Sequence, residues 1–318
     1  MTTVTKDVAK ANKLLLNGAI VAIPTETVYG LAANVYNILA VQEVFAMKGR
    51  PVNNPLIVHI SSFLEIHKVA TDIPDIAIKL AFAFWPGPLT LILRKHPSIP
   101  NIISAGKDTV GVRIPDHPLT LSLLKMHQMP LAAPSANHFG CISPTQPSHV
   151  LDSFEGRLQL ILDGGICRRG VESTIVGFRG GQPVLHRMGA ISLEQIEEIT
   201  GNLSVEDKND SNPVAPGMMS KHYSPSKKTV FTDDIAETLH QFSGKKIGLL
   251  TFADSFVNCQ IVHQEVLSQN NDLVEACSNL YAALHRLDQS SAEIIIGQKF
   301  PDVGLGRTIN DRLQRASA

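Results

Sequence analysis

The sequence predicts an α/β protein made of two unequal units joined by an irregular segment. Two observations carry this. Short apolar runs alternate with helix-length amphipathic segments as far as residue 201, and the alternation resumes, more compactly, after residue 228. Between them, residues 202–228 ("NLSVEDKNDSNPVAPGMMSKHYSPSKK") show no apolar period and carry three prolines, the signature of a linker. The expected organisation is a first unit over 1–201, a linker over 202–228 and a small α/β unit over 229–318.

The elements follow in order. Residues 5–17 read as a helix with Val4, Val8, Ala11, Asn12 and Leu15 on one face, stopped by Gly18. "AIVAIPT" reads as a buried strand, "ILAVQEVFAMKG" as a helix closed by Gly49, and "PLIVHI" as a strand. The helix "IPDIAIKLAFAFW" ends at Pro86-Gly87-Pro88 and is followed by the strands "LTLILR" and "VGVRIP". "HPLTLSLLKMHQ" is a helix; "MPLAAPS", "LQLILDGG", "STIVGF" and "QPVLHR" are strands. In "SLEQIEEITG", Ser192 with Gln195 three residues on forms a capping box. Beyond the linker come the strand "TVF", a helix near 233–242, the strand "KIGLLTF", a helix over 272–288, the strand "AEIIIG" and a helix near 306–315. Asp311 and Arg315 stand at i,i+4 in the last helix, a spacing that predicts a solvated face.

Composition narrows the function classes. The chain has 318 residues, 44% hydrophobic and 18% charged, enough for a sizeable core. A net charge of −1 offers no global field for nucleic acid, so any anion site must be local. Apolar runs such as "AIVAI" fall far short of the roughly 20 residues a membrane span needs. The N-terminus lacks a signal-peptide apolar stretch. Cys141, Cys167, Cys259 and Cys277 form no C-x-x-C pair and read as reduced thiols, so a cytoplasmic protein is expected.

Polar residues of the first unit gather at strand ends, where open α/β sheets bind ligands. Thr25, Glu26 and Thr27 follow the first strand, and "KGRPVNNPLIVH" puts Lys48 and Arg50 on a proline-stiffened loop before a strand ending in His59. Lys and Arg neutralise phosphate oxygens, Arg with a two-pronged fork. No P-loop, dinucleotide fingerprint or nucleophile elbow is present, so the inventory favours positioning and charge stabilisation over covalent catalysis. Taken singly the residues leave alternatives open. Lys48 and Arg50 also suit a helix C-terminus, and Glu26 suits a general base or a backbone acceptor. Arg113, inside an apolar strand, needs a partner: a ligand carboxylate or an Asp would serve equally. "GGICRRG" suits a phosphate nest or, preferably, a hairpin.

Together the motifs resemble a known family. "PTETVYGL", "KGRPVNNPLIVH", "WPGPLTLIL", "VGVRIPDHP", "PLAAPSAN", "SPT", "VESTIV" and "GAIS" occur in the order found in YrdC-like threonylcarbamoyl-AMP synthases. Lys48/Arg50 and Ser135/Asn137 match that family's K-x-R and S-x-N pairs, and "APGMMSKHYSP" and "GLGRTINDRLQRA" match its long two-domain form. The resemblance implies a concave, twisted mixed sheet (YrdC-like, DHBP-synthase-like) with a smaller Rossmann-like α/β domain. It implies a nucleotidyltransferase that condenses L-threonine, bicarbonate or CO2 and ATP into threonylcarbamoyl-adenylate and pyrophosphate. The product serves threonylcarbamoyladenosine formation in tRNA through a downstream transferase complex.

By the same resemblance, Lys48, Arg50, Ser135 and Asn137 are the catalytic set. Asn54, Thr109, Ser143, Arg187 and Tyr223 join them around ATP. Thr27, His59, Arg113, Ala133 (through its backbone) and Ser173 hold threonine, whose carboxylate supplies Arg113's partner. Mg2+ is expected mainly on the ATP phosphates, with Ser135 and Asn137 assisting. "SKHYSP" resembles a lid segment, with Tyr223 over the nucleotide and His222 nearby. Two other functions compete. One is a double-stranded-RNA-binding module of the same fold, with weak RNA binding also admitted beside synthase activity. The other is a transferase forming a carbamoyl-adenylate from carbamoyl phosphate.

Overall fold

A computed structural model of the chain describes residues 1–206, 214–217 and 222–318. The expected mixed α/β architecture is present. The first unit runs β1 (Thr3–Thr5), α1 (Val8–Leu16), β2 (Val21–Ile23), β3 (Gly30–Asn34), α2 (Ile38–Lys48), β4 (Ile57–His59), β5 (Ala70–Thr71), α3 (Asp75–Phe84) and β6 (Leu89–Lys95). It continues α4 (Asn101–Ser104), β7 (Thr109–Arg113), α5 (Pro118–His127), β8 (Leu131–Ala132), α6 (Pro147–Phe154), β9 (Leu160–Leu162), β10 (Thr174–Arg179), β11 (Gln182–Arg187), α7 (Leu193–Thr200) and β12 (Ser204–Val205). Among the described residues these strands form one mixed sheet in the order β1-β9-β2-β3-β8-β4-β7-β6-β10-β11-β12, with β5 on β6.

Three expectations need correction. The first helix begins at Val8, not at residue 5, because residues 3–5 form a strand. They pair in parallel with β9, and Asp7 caps α1 by accepting from the Lys10 amide. "GGICRRG" is no hairpin but an irregular loop between β9 and β10, tied down where the Arg169 amide donates to the Glu26 carbonyl. Strand β12 lies in the expected linker yet joins the first sheet beside β11. Part of that linker, residues 207–213 and 218–221, lies outside the described residues, and with it the Ser220 and Lys221 of "SKHYSP".

One face of the sheet is the core. Val58, Val110, Val112, Leu89, Leu91 and Leu93 pack against Val41, Val44 and Phe45 of α2 and Ala77, Leu80 and Ala81 of α3. Strand side chains alternate faces, so the opposite face receives Ile57 and His59 from β4, Thr109 and Arg113 from β7, and Thr90 and Ile92 from β6. The parallel register of β4 with β7 sets His59 beside Arg113. Ile57, Ile92 and Ile175 make an apolar patch on this face, and Ala215 and Val214 of the crossing segment pack on it.

The second unit holds β13 (Lys228–Thr232), α8 (Ile235–Gln241), β14 (Ile247–Thr251), β15 (Ile261–Val266), α9 (Leu273–Gln289), β16 (Ile294–Gln298) and α10 (Leu305–Ala316). Its parallel sheet has the order β13-β16-β14-β15. Helix α10 is not solvated as its charge spacing suggests. The Asp311–Arg315 pair forms at 3.0 Å, but Arg315 is buried along with Thr308, Ile309, Arg312 and Leu313. A core cluster containing Leu280, Tyr281, Leu284 and Ile309 of this unit also takes in Val28, Ile142, Val171 and Ala190 of the first. The two units therefore share apolar packing.

Candidate active site

Sequence chemistry places the cationic loop. Helix α2 ends at Gly49, in the left-handed region at φ 63°, where a side chain would be strained. The chain reverses there and turns Lys48 and Arg50 inward, leaving them 2% and 8% exposed. Lys48 Nζ donates to the carbonyls of Ser135 (2.5 Å) and Asn137 (2.6 Å). Arg50 clamps its own loop. Its Nε donates to the Asn54 carbonyl (3.1 Å), and its Nη2 donates to Asn54 Oδ1 (2.6 Å) and the Pro55 carbonyl (2.7 Å).

A cavity opens on the sheet face beside this loop. Nine of the expected site residues line it: Thr27, Arg50, His59, Arg113, Ala133, Ser135, Ser173, Arg187 and Tyr223. Lys48, Asn137, Asn54 and Ser143 stand behind the wall. Lys48 reaches it only through the Ser135 carbonyl, and Asn54 through Arg50. Asn137 Nδ2 donates to the carbonyls of His138 and Cys141, while its Oδ1 is buried with no hydrogen-bond partner among the described residues. Thr109 is not brought to the cavity. It stands four residues from Arg113, about 13 Å along β7, in a shallow depression with Asp72, Arg94 and Phe178.

The Arg113 expectation is corrected in one respect. Its partner within the chain is Glu26, whose Oε1 lies 2.7 Å from Nη2, both side chains being almost fully buried. Arg113 Nη2 also donates to Thr27 Oγ1 (3.0 Å), and Nε donates to the Gly87 carbonyl (3.2 Å). Glu26 Oε2 accepts the Asp116 amide, so this carboxylate is a structural acceptor rather than a base facing the cavity. Beside Arg113, burial and then that guanidinium push His59 down to about 3, so its ring is neutral at ordinary pH. Its Nδ1 has no hydrogen-bond partner among the described residues.

Arg187 donates from Nε and Nη2 to the Ser173 carbonyl and from Nη2 to Ser173 Oγ (3.0 Å), so a residue expected around ATP is bonded directly to one expected to hold threonine. Ser173 Oγ also shares a 2.7 Å hydrogen bond with Thr90. Arg187 Nη1 donates to the Pro216 carbonyl (3.1 Å), which ties the crossing segment to the wall. Gly217 follows at φ 79°, and a Cβ there would meet the Tyr223 hydroxyl at 2.7 Å. Tyr223 and His222 pack ring to ring (4.1 Å) and join the lining, the Tyr223 hydroxyl being buried with no hydrogen-bond partner among the described residues.

The electrostatics favour anions. Burial and the neighbouring Arg187 push Arg50 down to about 9, so it stays charged at neutral pH. Burial and then Arg50 hold Lys48 well below the ordinary lysine range. Sequence reasoning missed one lining residue of consequence, the carboxylate Glu172. Burial would raise it, but Arg312, Arg187 and the Ser143 hydroxyl hold it below the usual range. Its place in "VEST" was the available signal.

Comparison with known proteins bears on this cavity. The family model described as "Telomere recombination" matches residues 13–189, and that described as "Threonylcarbamoyl-AMP synthase, C-terminal domain" matches residues 191–318. A threonylcarbamoyl-AMP synthase of Pyrococcus abyssi is 40% identical over 94% of this chain and 91% of its own length. The chain belongs to the threonylcarbamoyl-AMP synthase family. A Bacillus subtilis member is 38% identical over 98% of this chain and 92% of its own length. The crystal structure of P. abyssi Sua5 complexed with L-threonine superposes with a TM-score of 0.93 at 37% identity, covering 99% of this chain and 98% of that one. Family membership therefore extends over both units.

Proposed function

We propose that this cavity makes L-threonylcarbamoyl-adenylate and pyrophosphate from L-threonine, bicarbonate or CO2, and ATP, in the cytoplasm, for a separate transferase that modifies tRNA. The observation that carries the reading is one cavity with two chemically distinct ends. Arg113, His59 and Thr27 suit a zwitterionic amino acid, and Arg50 and Arg187 suit phosphates. Among the described contacts, Nε and Nη2 of Arg113 are already used, so Nη1 is the edge offered to the threonine carboxylate. The Ala133 amide donates to the Ile57 carbonyl, so a backbone contact to threonine there falls to the Ala133 carbonyl. Neutral His59 can hydrogen-bond threonine without repelling its amine.

The amine adds to the carbon of CO2 and loses a proton, giving a carbamate. A carbamate oxygen attacks the α-phosphorus as the bond to pyrophosphate breaks. The carbamate is itself the nucleophile, so no protein serine or cysteine is required. The protein's part is to hold two anions in line and to stabilise charge spread over phosphorus and the leaving group. Arg50 and Arg187 serve the second role, and Lys48 acts through the Ser135–Asn137 loop it anchors. Asn54 holds Arg50, and Ser143 holds Glu172. Tyr223 and His222 close the cavity from the crossing segment, excluding water from a hydrolysable intermediate. Thr109 would meet the nucleotide only at its far end.

Mg2+ accompanying ATP would find hard oxygen donors in Asn137 Oδ1, which is buried without a hydrogen-bond partner, and in Ser135 Oγ. It would neutralise phosphate charge.

The double-stranded-RNA alternative lacks support, since the cations of the site are buried in a cavity rather than spread over an open surface. Mass detection of the adenylate from threonine, labelled bicarbonate, ATP and Mg2+ tests the proposal. Label in the product and threonine-dependent pyrophosphate release are expected. Release that ignores threonine, or that requires carbamoyl phosphate, would overturn it.

A further inference from the structure

The carboxylate that sequence reasoning missed is held from the second unit. Glu172 lines the cavity next to Ser173. Its Oε1 accepts from Ser143 Oγ (2.6 Å), and its Oε2 accepts from Tyr281 Oη of α9 (2.8 Å) and Arg312 Nε of α10 (3.1 Å). Arg312 is fully buried, a costly place for a cation unless its donors are matched. Its remaining contacts are with other parts of the same wall. Nη2 donates to the Met188 carbonyl (2.7 Å), next to Arg187, and the guanidinium lies 4.7 Å from the centre of the Tyr223 ring. Tyr223 in turn stacks on Tyr281 at 5.7 Å. Nη1 is engaged by Asp311 beside it.

One guanidinium thus touches three chain segments that the sequence keeps apart: the start of the "VEST" strand, the end of β11 and the crossing segment. Each contributes a cavity-lining side chain, Glu172, Arg187 and Tyr223 respectively. We propose that Arg312 is a positioning residue of the synthase site, fixing the nucleotide-side wall through Glu172, Met188 and Tyr223, so that the second unit completes the active site. The inference rests on the synthase reading above. Geometry separates it from ordinary packing. A lysine would keep the charge, but it lacks the planar fork that pairs with a carboxylate, a carbonyl and a ring at once. Because Arg312 touches Glu172, Met188 and Tyr223 and neither Arg113 nor His59, its loss should act on ATP and turnover more than on threonine.

The test uses the full-length enzyme and the variants R312K, R312M, E172Q, Y281F and E172Q/R312M. Threonine affinity is measured by calorimetry, kinetics in ATP by pyrophosphate release, and product by mass detection of the adenylate. Expected for R312K and R312M are at least a tenfold loss of kcat/KM for ATP, more pyrophosphate released per adenylate formed, and a threonine Kd within twofold of the parent. Expected for E172Q/R312M is a loss no greater than that of the worse single variant, because the two residues act as one unit. Losses that simply multiply in the double variant, or that fall equally on threonine and ATP, would overturn the proposal. If R312M fails to fold, R312K and Y281F carry the test, and parental kinetics in both would equally overturn it. A parent enzyme that makes no adenylate would instead overturn the synthase reading, a separate outcome read before any variant.

Discussion

Glu26 and Arg113 face one another at 2.7 Å, each almost entirely removed from water, and only Arg113 of the two lines the cavity. A strand arginine between two apolar neighbours therefore has a partner within the chain and still presents an edge to a ligand. This sets two expectations for R113A. Deleting one member of a buried pair leaves the other uncompensated, which costs about 3–5 kcal/mol, so a clear fall in the urea midpoint is expected. In the folded fraction, the threonine KM should rise at least a hundredfold while ATP affinity is retained, as calorimetry with each ligand would show. Equal loss of both would remove Arg113 from the threonine end.

Lys48 contacts two backbone carbonyls, not the cavity. K48M should therefore act through the loop it anchors. Losing two charge-assisted hydrogen bonds to buried carbonyls is expected to cost about 2–4 kcal/mol, and amide exchange at residues 135–138 should accelerate. Turnover should drop more than tenfold. Unchanged exchange in that loop combined with lost ATP binding would instead indicate direct phosphate contact.

Gly217 combines a positive φ with a close approach to the Tyr223 hydroxyl. G217A is expected to destabilise the closed segment by about 1–2 kcal/mol and, together with Y223A, to raise pyrophosphate release relative to adenylate. Parental stoichiometry in both variants would show that the crossing segment plays no part in protecting the intermediate.

His59 supplies a pH prediction. Its pKa is about 3 in the folded chain and about 6.5 when unfolded. Between these values the unfolded state binds the extra proton, so stability is present above pH 6.5 and is lost as pH falls toward 3. The slope is at most about 1.4 kcal/mol per pH unit. H59N should flatten this acid limb in urea titrations between pH 4 and 6.5. Above about pH 7.5 the variant should melt with the same pH dependence as the parent, His59 being neutral there in both states.

Much of the fold was legible because its elements announce themselves locally. The capping box of Ser192 and Gln195 forms as spaced, and Gly49 ends α2 in the expected left-handed turn. Strands β1, β3 and β15 were not read. The first has three residues, the "GLAAN" of β3 has no alternation, and β15 is a half-exposed strand at the sheet edge. The motif residues around Arg113 and Arg187 were legible as a set and do converge. Two kinds of information were not. The partner of Arg113 depends on which chain segment passes beside β7, and Glu26 was weighed only as a base or a backbone acceptor. The inward turn of Arg312 depends on α10 docking against the first unit, which overrides the surface reading of its charge spacing.

That docking has a consequence for trimming the chain. A fragment ending at Gly201 would lose the tyrosine and the arginine that engage one oxygen of Glu172, leaving it the Ser143 hydroxyl. It would then present a bare negative group in the cavity wall, and expose Val28, Ile142 and Val171 to solvent. Shortening this protein is thus an electrostatic alteration of its reaction chamber as much as a reduction in size.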